Sequence, residues 1–392
     1  MKFFDLKDQS AAMPFGLRLL EIAGLCRSQT RQMRFLGLTV WALVMVVIPK
    51  VVFGYRDHID LKIRGLSELV FQLHQISRIV IVYLQMSHLE EVVKIVEKTF
   101  TKVRAANLDF EMNALVDSAN HKIDKRTKMY AIYCFMAVNV FLYSPVLQTV
   151  TFYFINQSRN ETEKIEYVTS MELEFCGLNV RENLFHYAIF EFCIGIVHYY
   201  TSASFALFGI VIYCPTVYII LIFRMVSKRL EKLRRLSGVN QQKEVSNLVD
   251  LHLDGLRCVH YMESIVAVPM VLQIVAFVLI LSSMVLYIRN NLDLNAISLL
   301  VLLIVVTAET YTICHLTTNL SEESFAVAKA IYNSTDWYQL PIDSQKALSL
   351  MLLRGQKREG VTAAKFCFMD IERFGKVVQT SYSIYVMLKD HL

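Results

Sequence analysis

Four stretches of this chain, 35–54, 129–155, 263–288 and 296–318, are apolar for 20 residues or more, and a fifth runs from 183 to about 225. The hydrocarbon core of a bilayer, about 30 Å thick, is crossed by about 20 helical residues. Inside lipid a backbone must close its own hydrogen bonds, and a continuous apolar run does so as a helix. The chain therefore reads as an all-α membrane protein. Its composition agrees: 55% of the 392 residues are hydrophobic, 19% are charged, and mean hydropathy is +0.41. Soluble domains lie nearer about 45–50% apolar and about 25% charged. The net charge of +5 is mild. No basic stretch interleaves with aromatics, so no nucleic-acid partner is expected. The eight cysteines show no zinc or CxxC spacing, and no metal or other cofactor is expected.

The run from 183 reads as one helix that continues into water through "RMVSKRLEKLRRL", with a hinge near Pro215 as the alternative. Two further spans carry charge. Residues 66–86 contain His74 and Arg78, and residues 362–388 contain five charged side chains. Such helices are tolerated where the charged face meets a protein interior or a water path. Arg78 is expected to pair with Glu191, because an intramembrane charge needs a partner. Seven spans result. Upstream, "MPFGLRLLEIAGL" has helical apolar spacing but is too short to cross, and reads as an interfacial helix. The N-terminal "MKFFDLKDQS" does not read as a signal peptide, so the first span is expected to orient the chain.

Charge gives the orientation. The segments up to Arg34, 87–128, 224–262 and 319–361 hold 27 Lys and Arg residues, against 8 in 55–65, 156–182, 289–295 and the C-terminal tip. The positive-inside rule makes the first set cytoplasmic. The N-terminus is then cytoplasmic and the C-terminus extracellular. The loop after the third span becomes extracellular, where the acceptor patterns at Asn156 and Asn160 are usable. Matching patterns at Asn319 and Asn333 fall in the cytosol and are expected to stay bare. A seven-helix G-protein-coupled receptor would have the opposite orientation.

The last 65 residues include Tyr332, Trp337-Tyr338, Leu340-Pro341, "LMLLRGQK" at 350–357, "TAAKF" and "TSYS". Together they resemble the C-terminal signature of insect odorant receptors. The long insertion of the family's shared co-receptor between spans four and five is not apparent, so the chain resembles a tuning, odorant-binding subunit. The resemblance implies a ligand-gated, non-selective cation channel, a heterotetramer formed with co-receptor subunits in the plasma membrane of olfactory sensory neuron dendrites. It implies three regions: 1–318, with the interfacial segment, spans one to six and the odorant pocket; 319–361, a cytoplasmic anchor of subunit contacts; and 362–392, the pore-lining seventh span and extracellular C-terminus. Within the last region it implies Tyr385, Leu388 and Lys389 at the narrow part. Lys389 departs from what a cation pore favours, and its reaching to lipid headgroups is the alternative.

A volatile ligand needs an apolar, aromatic cavity with one or two polar groups to orient it. The outer halves of spans two to five offer Phe71, His74, Gln75, Tyr143, Ser144, Leu147, Tyr187, Phe190, Ile194 and Phe277. Each would serve equally as packing core. No P-loop, HExxH or GxSxG motif is seen, so no enzyme is expected. The nearest rival reading is an insect gustatory receptor, which shares the implied fold.

Overall fold

In the computed structural model, the described residues are 12–25, 29–55, 58–105, 110–159, 167–174, 177–233, 239–291, 294–334 and 337–391. They form helices α1 (Pro14–Ala23), α2 (Gln29–Ala42), α3 (Ile48–Val52), α4 (Ile59–Leu84), α5 (Met86–Ala105), α6 (Phe110–Arg159), α7 (Leu184–Leu233), α8 (Val239–Asn290), α9 (Leu294–Ser334), α10 (Ile342–Gly355) and α11 (Ile371–His391). A π-helical turn, Leu43–Val47, joins α2 to α3. A two-stranded hairpin, β1 (Thr362–Ala363) with β2 (Cys367–Phe368), precedes α11.

Among the described residues, five helical segments are long and apolar enough to cross a bilayer, within α2–α3, α6, α7, α8 and α9. α4 and α11 do not qualify by hydropathy. In α4 the reason is visible: Arg64, Glu68, His74 and Arg78 are all buried, so its polar groups face protein. α7 is unbroken through Pro215 and reaches Leu233, as the long-helix reading expected. It forms the centre of the bundle, packing against α9, α6, α8 and α4, while α8 packs in turn on α4, α5 and α11. α6 is peripheral and leaves Met136, Leu147 and Phe154 about 60% exposed. An apolar face of that extent fits lipid rather than water.

α1 is the short helix expected upstream. Gly24, at φ 87°, ends it with its N–H turned back to the Glu21 carbonyl, a conformation open to glycine without steric cost. The Met13 N–H donates to Tyr218 Oη of α7 at 2.9 Å, pinning α1 to the bundle.

Two sequence expectations are corrected. Residues 362–368 are not helical; the final helix begins at Ile371. Ala364 and Lys365 take positive φ and turn the chain into a hairpin. Asp370 then starts the helix, its Oδ1 accepting the Arg373 N–H at 2.8 Å. Second, Arg78 pairs with Glu309 of α9 at 3.0 Å, not with Glu191. Glu191 instead accepts the Ser170 N–H at 2.8 Å. Within α11, Glu372 and Lys376, four residues apart, pair at 2.5 Å.

Candidate functional site

Where α4, α6, α7 and α9 meet, they leave a partly open cavity of about 80 Å³. The walls are apolar: Phe71 from α4, Ala137, Val138 and Phe141 from α6, Phe205 from α7, and Val301, Leu302 and Val305 from α9. Polar groups are few. Thr201 Oγ1 donates to Gln72 Oε1 at 2.7 Å, and Ser202 Oγ donates to the Cys134 carbonyl at 2.9 Å. His198 is buried, its ring 5.8 Å from that of Phe141, and its Nε2 has no hydrogen-bond partner among the described residues. A buried nitrogen of this kind is a handle for a ligand's hydrogen-bonding group.

One end of the cavity is closed by charge. Glu68 is 4% exposed and accepts from Lys50 Nζ at 2.7 Å, Arg64 Nε at 2.9 Å and the Glu172 N–H at 2.9 Å. Arg181 braces Glu172 at 2.7 Å. The backbone segment 167–174 is thereby tied across the helix ends and puts Met171 over the cavity. Glu68, the charged side chain of the lining, is held by two cations, and the other walls are mostly apolar, which suits an uncharged ligand.

Beyond the opposite end lies Arg78, 0% exposed. Its Nη1 donates to Glu309 Oε2 at 3.0 Å and Gln273 Oε1 at 3.1 Å, and its Nη2 to Gln75 Oε1 at 2.6 Å. Its guanidinium lies 4.9 Å from the centre of the Phe205 ring and 4.3 Å from that of Phe208. Phe205 thus touches both the cavity and this network.

Of the ten residues expected at the site, Phe71 lines this cavity. Gln75 is committed to Arg78, and His74 is buried beside it on α4. Tyr143 and Leu147 point outward from α6, with Ser144 half-buried between them. Tyr187, Phe190 and Ile194 are buried along α7, with the Tyr187 ring stacked on Tyr167 at 5.1 Å. Phe277 packs on Phe374 of α11 at 6.2 Å. Sequence reasoning passed over His198, Thr201 and Ser202, whose signal was polarity inside the longest apolar run of the chain. Tyr385 and Leu388 are half-buried on α11, and Lys389 is exposed. Asn156 falls in the last turns of α6, but its side chain and Asn160 lie outside the described residues.

Long apolar helices around a small, largely apolar cavity are the architecture of a multi-pass membrane protein. The family model for the 7tm Odorant receptor matches residues 60–382, and the chain belongs to this insect odorant receptor family. Its fold is similar to that of the olfactory receptor OR5 from Machilis hrabei in complex with eugenol, with TM-score 0.72 and 11% identity over 96% of this chain and 97% of that one. A second OR5 structure from Machilis hrabei, described without eugenol, matches with TM-score 0.72 and 10% identity over 92% and 90%. No curated protein sequence matches the chain.

Proposed function

We propose that this receptor is an odorant-binding, tuning subunit of a ligand-gated, non-selective cation channel formed with odorant receptor co-receptor subunits. In this reading a small volatile ligand occupies the cavity between α4, α6, α7 and α9. The observation that carries it is the cavity itself: apolar and aromatic walls, paired charges at one end, and His198 Nε2 held ready for one polar group. That the OR5 fold accommodates eugenol, a small aromatic, supports the reading.

The channel part of the proposal rests on α11 and on the segment before it. In a channel of four subunits, α11 lines the pore, with Tyr385, Leu388 and Lys389 towards its narrow part. Leu350 and Leu353 of α10 are 68% and 65% exposed, and Phe366 at the hairpin tip 87%. Leu350 and Leu353 lie in the stretch 319–361 expected to carry subunit contacts and Phe366 just beyond it, and neighbouring subunits would cover all three. Seven spans, a cytoplasmic N-terminus, glycosylation at Asn156 and Asn160, and residence in sensory dendrites complete the proposal.

The test is a recording of odorant-evoked current from cells co-expressing this chain and a co-receptor, across a panel of volatile phenols, esters and ketones. Phe71→Ala and Phe141→Ala each remove an aromatic wall, and the potency of an activating odorant is expected to fall about tenfold, as about 1.4 kcal/mol implies. Tyr143→Ala and Leu147→Ala, on the outward face of α6, should leave potency within about twofold. Unchanged dose–response curves for both Phe variants would place the ligand elsewhere.

A further inference from the structure

A second cavity, about 350 Å³ in volume and partly open to the surface, lies between α6, α7 and α9 on the far side of Phe205. Phe205 and Val305 line both cavities, and the remaining lining residues differ. The second cavity extends towards Arg126 on α6 and Leu316 on α9, the ends of those helices remote from Met171. At its mouth Arg126 Nη1 donates to Tyr213 Oη at 3.3 Å.

Two polar atoms make this more than a gap between helices. Glu309 is 6% exposed and gives Oε2 to Arg78, but its Oε1 is buried with no hydrogen-bond partner among the described residues. The Tyr130 hydroxyl is buried as well, with the Cys134 thiol as its neighbour and no oxygen or nitrogen partner among the described residues. Both residues line the cavity. Tyr130 is seated here by Gly209 of α7, where a Cβ would come within 2.6 Å of its hydroxyl oxygen. Buried polar atoms are seldom left unpaired.

The ligand chemistry follows. The Glu309 charge is already balanced by Arg78, so the site lacks a hydrogen-bond donor rather than a cation. An ammonium would arrive as surplus charge between Arg78 and Arg126. We infer that this cavity is a second ligand site, taking a neutral lipophilic alcohol or phenol. The ligand O–H donates to Glu309 Oε1, and its oxygen accepts from the Tyr130 hydroxyl. The apolar remainder lies against Phe205, Ile210 and Ile313. Because Phe205 is shared with the first cavity and touches Arg78, occupancy here bears on the wall of the first site.

The inference is tested by photolabelling, which reads position directly and does not depend on channel opening or on the odorant reading. The probe is 1-decanol carrying a mid-chain diazirine, with its methyl ether as the comparison, applied to membranes of cells producing the full chain. The decanol probe is expected to label the peptides spanning 126–133 and 305–316. The ether, which has no donor for Glu309, should label them at least tenfold less. Ala308→Trp narrows the cavity from an exposed lining position and should remove this labelling while sparing any at Phe71 and Phe141. Thr312→Trp, also exposed and lining, serves if the first variant does not reach the membrane. Equal labelling by alcohol and ether would overturn the inference. So would labelling spread evenly over the outward face of α6 around Phe135 and Tyr143, since that is simple partition into lipid.

Discussion

Arg78 has a large charged group and no exposed surface. Its guanidinium is held by Glu309, Gln273 and Gln75 and enclosed by two Phe rings. Gln273 Nε2 passes the network on to Thr310 at 2.8 Å. Removing one partner of a buried ion pair strands the other, which typically costs about 3–5 kcal/mol, whereas replacing both with apolar groups is often neutral. Arg78→Ala is therefore expected to lower the thermal stability of the receptor and most of its surface expression. Arg78→Met with Glu309→Leu should recover most of both. An unchanged melting temperature in Arg78→Ala would show that the pair contributes little. From sequence, the need for a partner was legible because an unpaired charge in lipid is costly. The partner was not, since Glu191 and Glu309 are equally eligible until the rotation of each helix is known. His198 was missed for the same reason: a polar residue in an apolar run does not reveal which neighbours it faces.

At the scale of elements, the long apolar helices were legible because lipid imposes both length and composition. α6 carries this to an extreme, with apolar side chains on its outward face as well as its inward one. The start of α11 was not legible. "TAAKF" contains neither Gly nor Asn to mark a turn, yet Ala364 and Lys365 adopt positive φ. The hairpin is held from outside the local sequence: the Thr362 N–H donates to Glu263 of α8 at 2.8 Å, and the Ala364 N–H to the Ala267 carbonyl at 3.1 Å. Asp370 then fixes where the helix begins. Its carboxylate accepts from the Arg373 N–H and from the Arg358 guanidinium, each at 2.8 Å. Asp370→Ala should cost about 0.5–2 kcal/mol, the usual range for a lost N-cap, and Asp370→Asn clearly less. Hydrogen exchange of the first turn of α11 in the assembled receptor would read this, and equal protection in both variants would count against the cap.

Across the whole molecule, the charge asymmetry in the sequence meets an arrangement that sequence alone does not supply. Segments from the basic set meet one another in space. Lys228 and Lys232 of α7 hold Glu111 of α6 at 2.9 and 2.8 Å, and their hydrogen bonds bring its carboxyl down to about 2. Arg229 pairs with Glu244 of α8 at 2.7 Å, and Arg224 pairs with Glu323 of α9. The four helices therefore bring their basic ends to one side, while the opposite ends of α4, α6 and α7 meet segment 167–174. A membrane between the two sides would separate segments holding 27 Lys and Arg from segments holding 8, and the positive-inside rule favours the first side as cytoplasmic. In that orientation the loop after α6 is extracellular and Asn156 and Asn160 meet the glycosylation machinery. Asn333, exposed near the end of α9, would remain in the cytosol. Replacing Asn156 and Asn160 together with Gln is then expected to abolish the glycosidase-sensitive gel shift of the receptor, and Asn333→Gln to leave it unchanged. The reverse result, a shift that survives the double change and disappears with Asn333→Gln, would turn the molecule over in the membrane. The first cavity would then open towards the cytosol, where an airborne ligand arrives last.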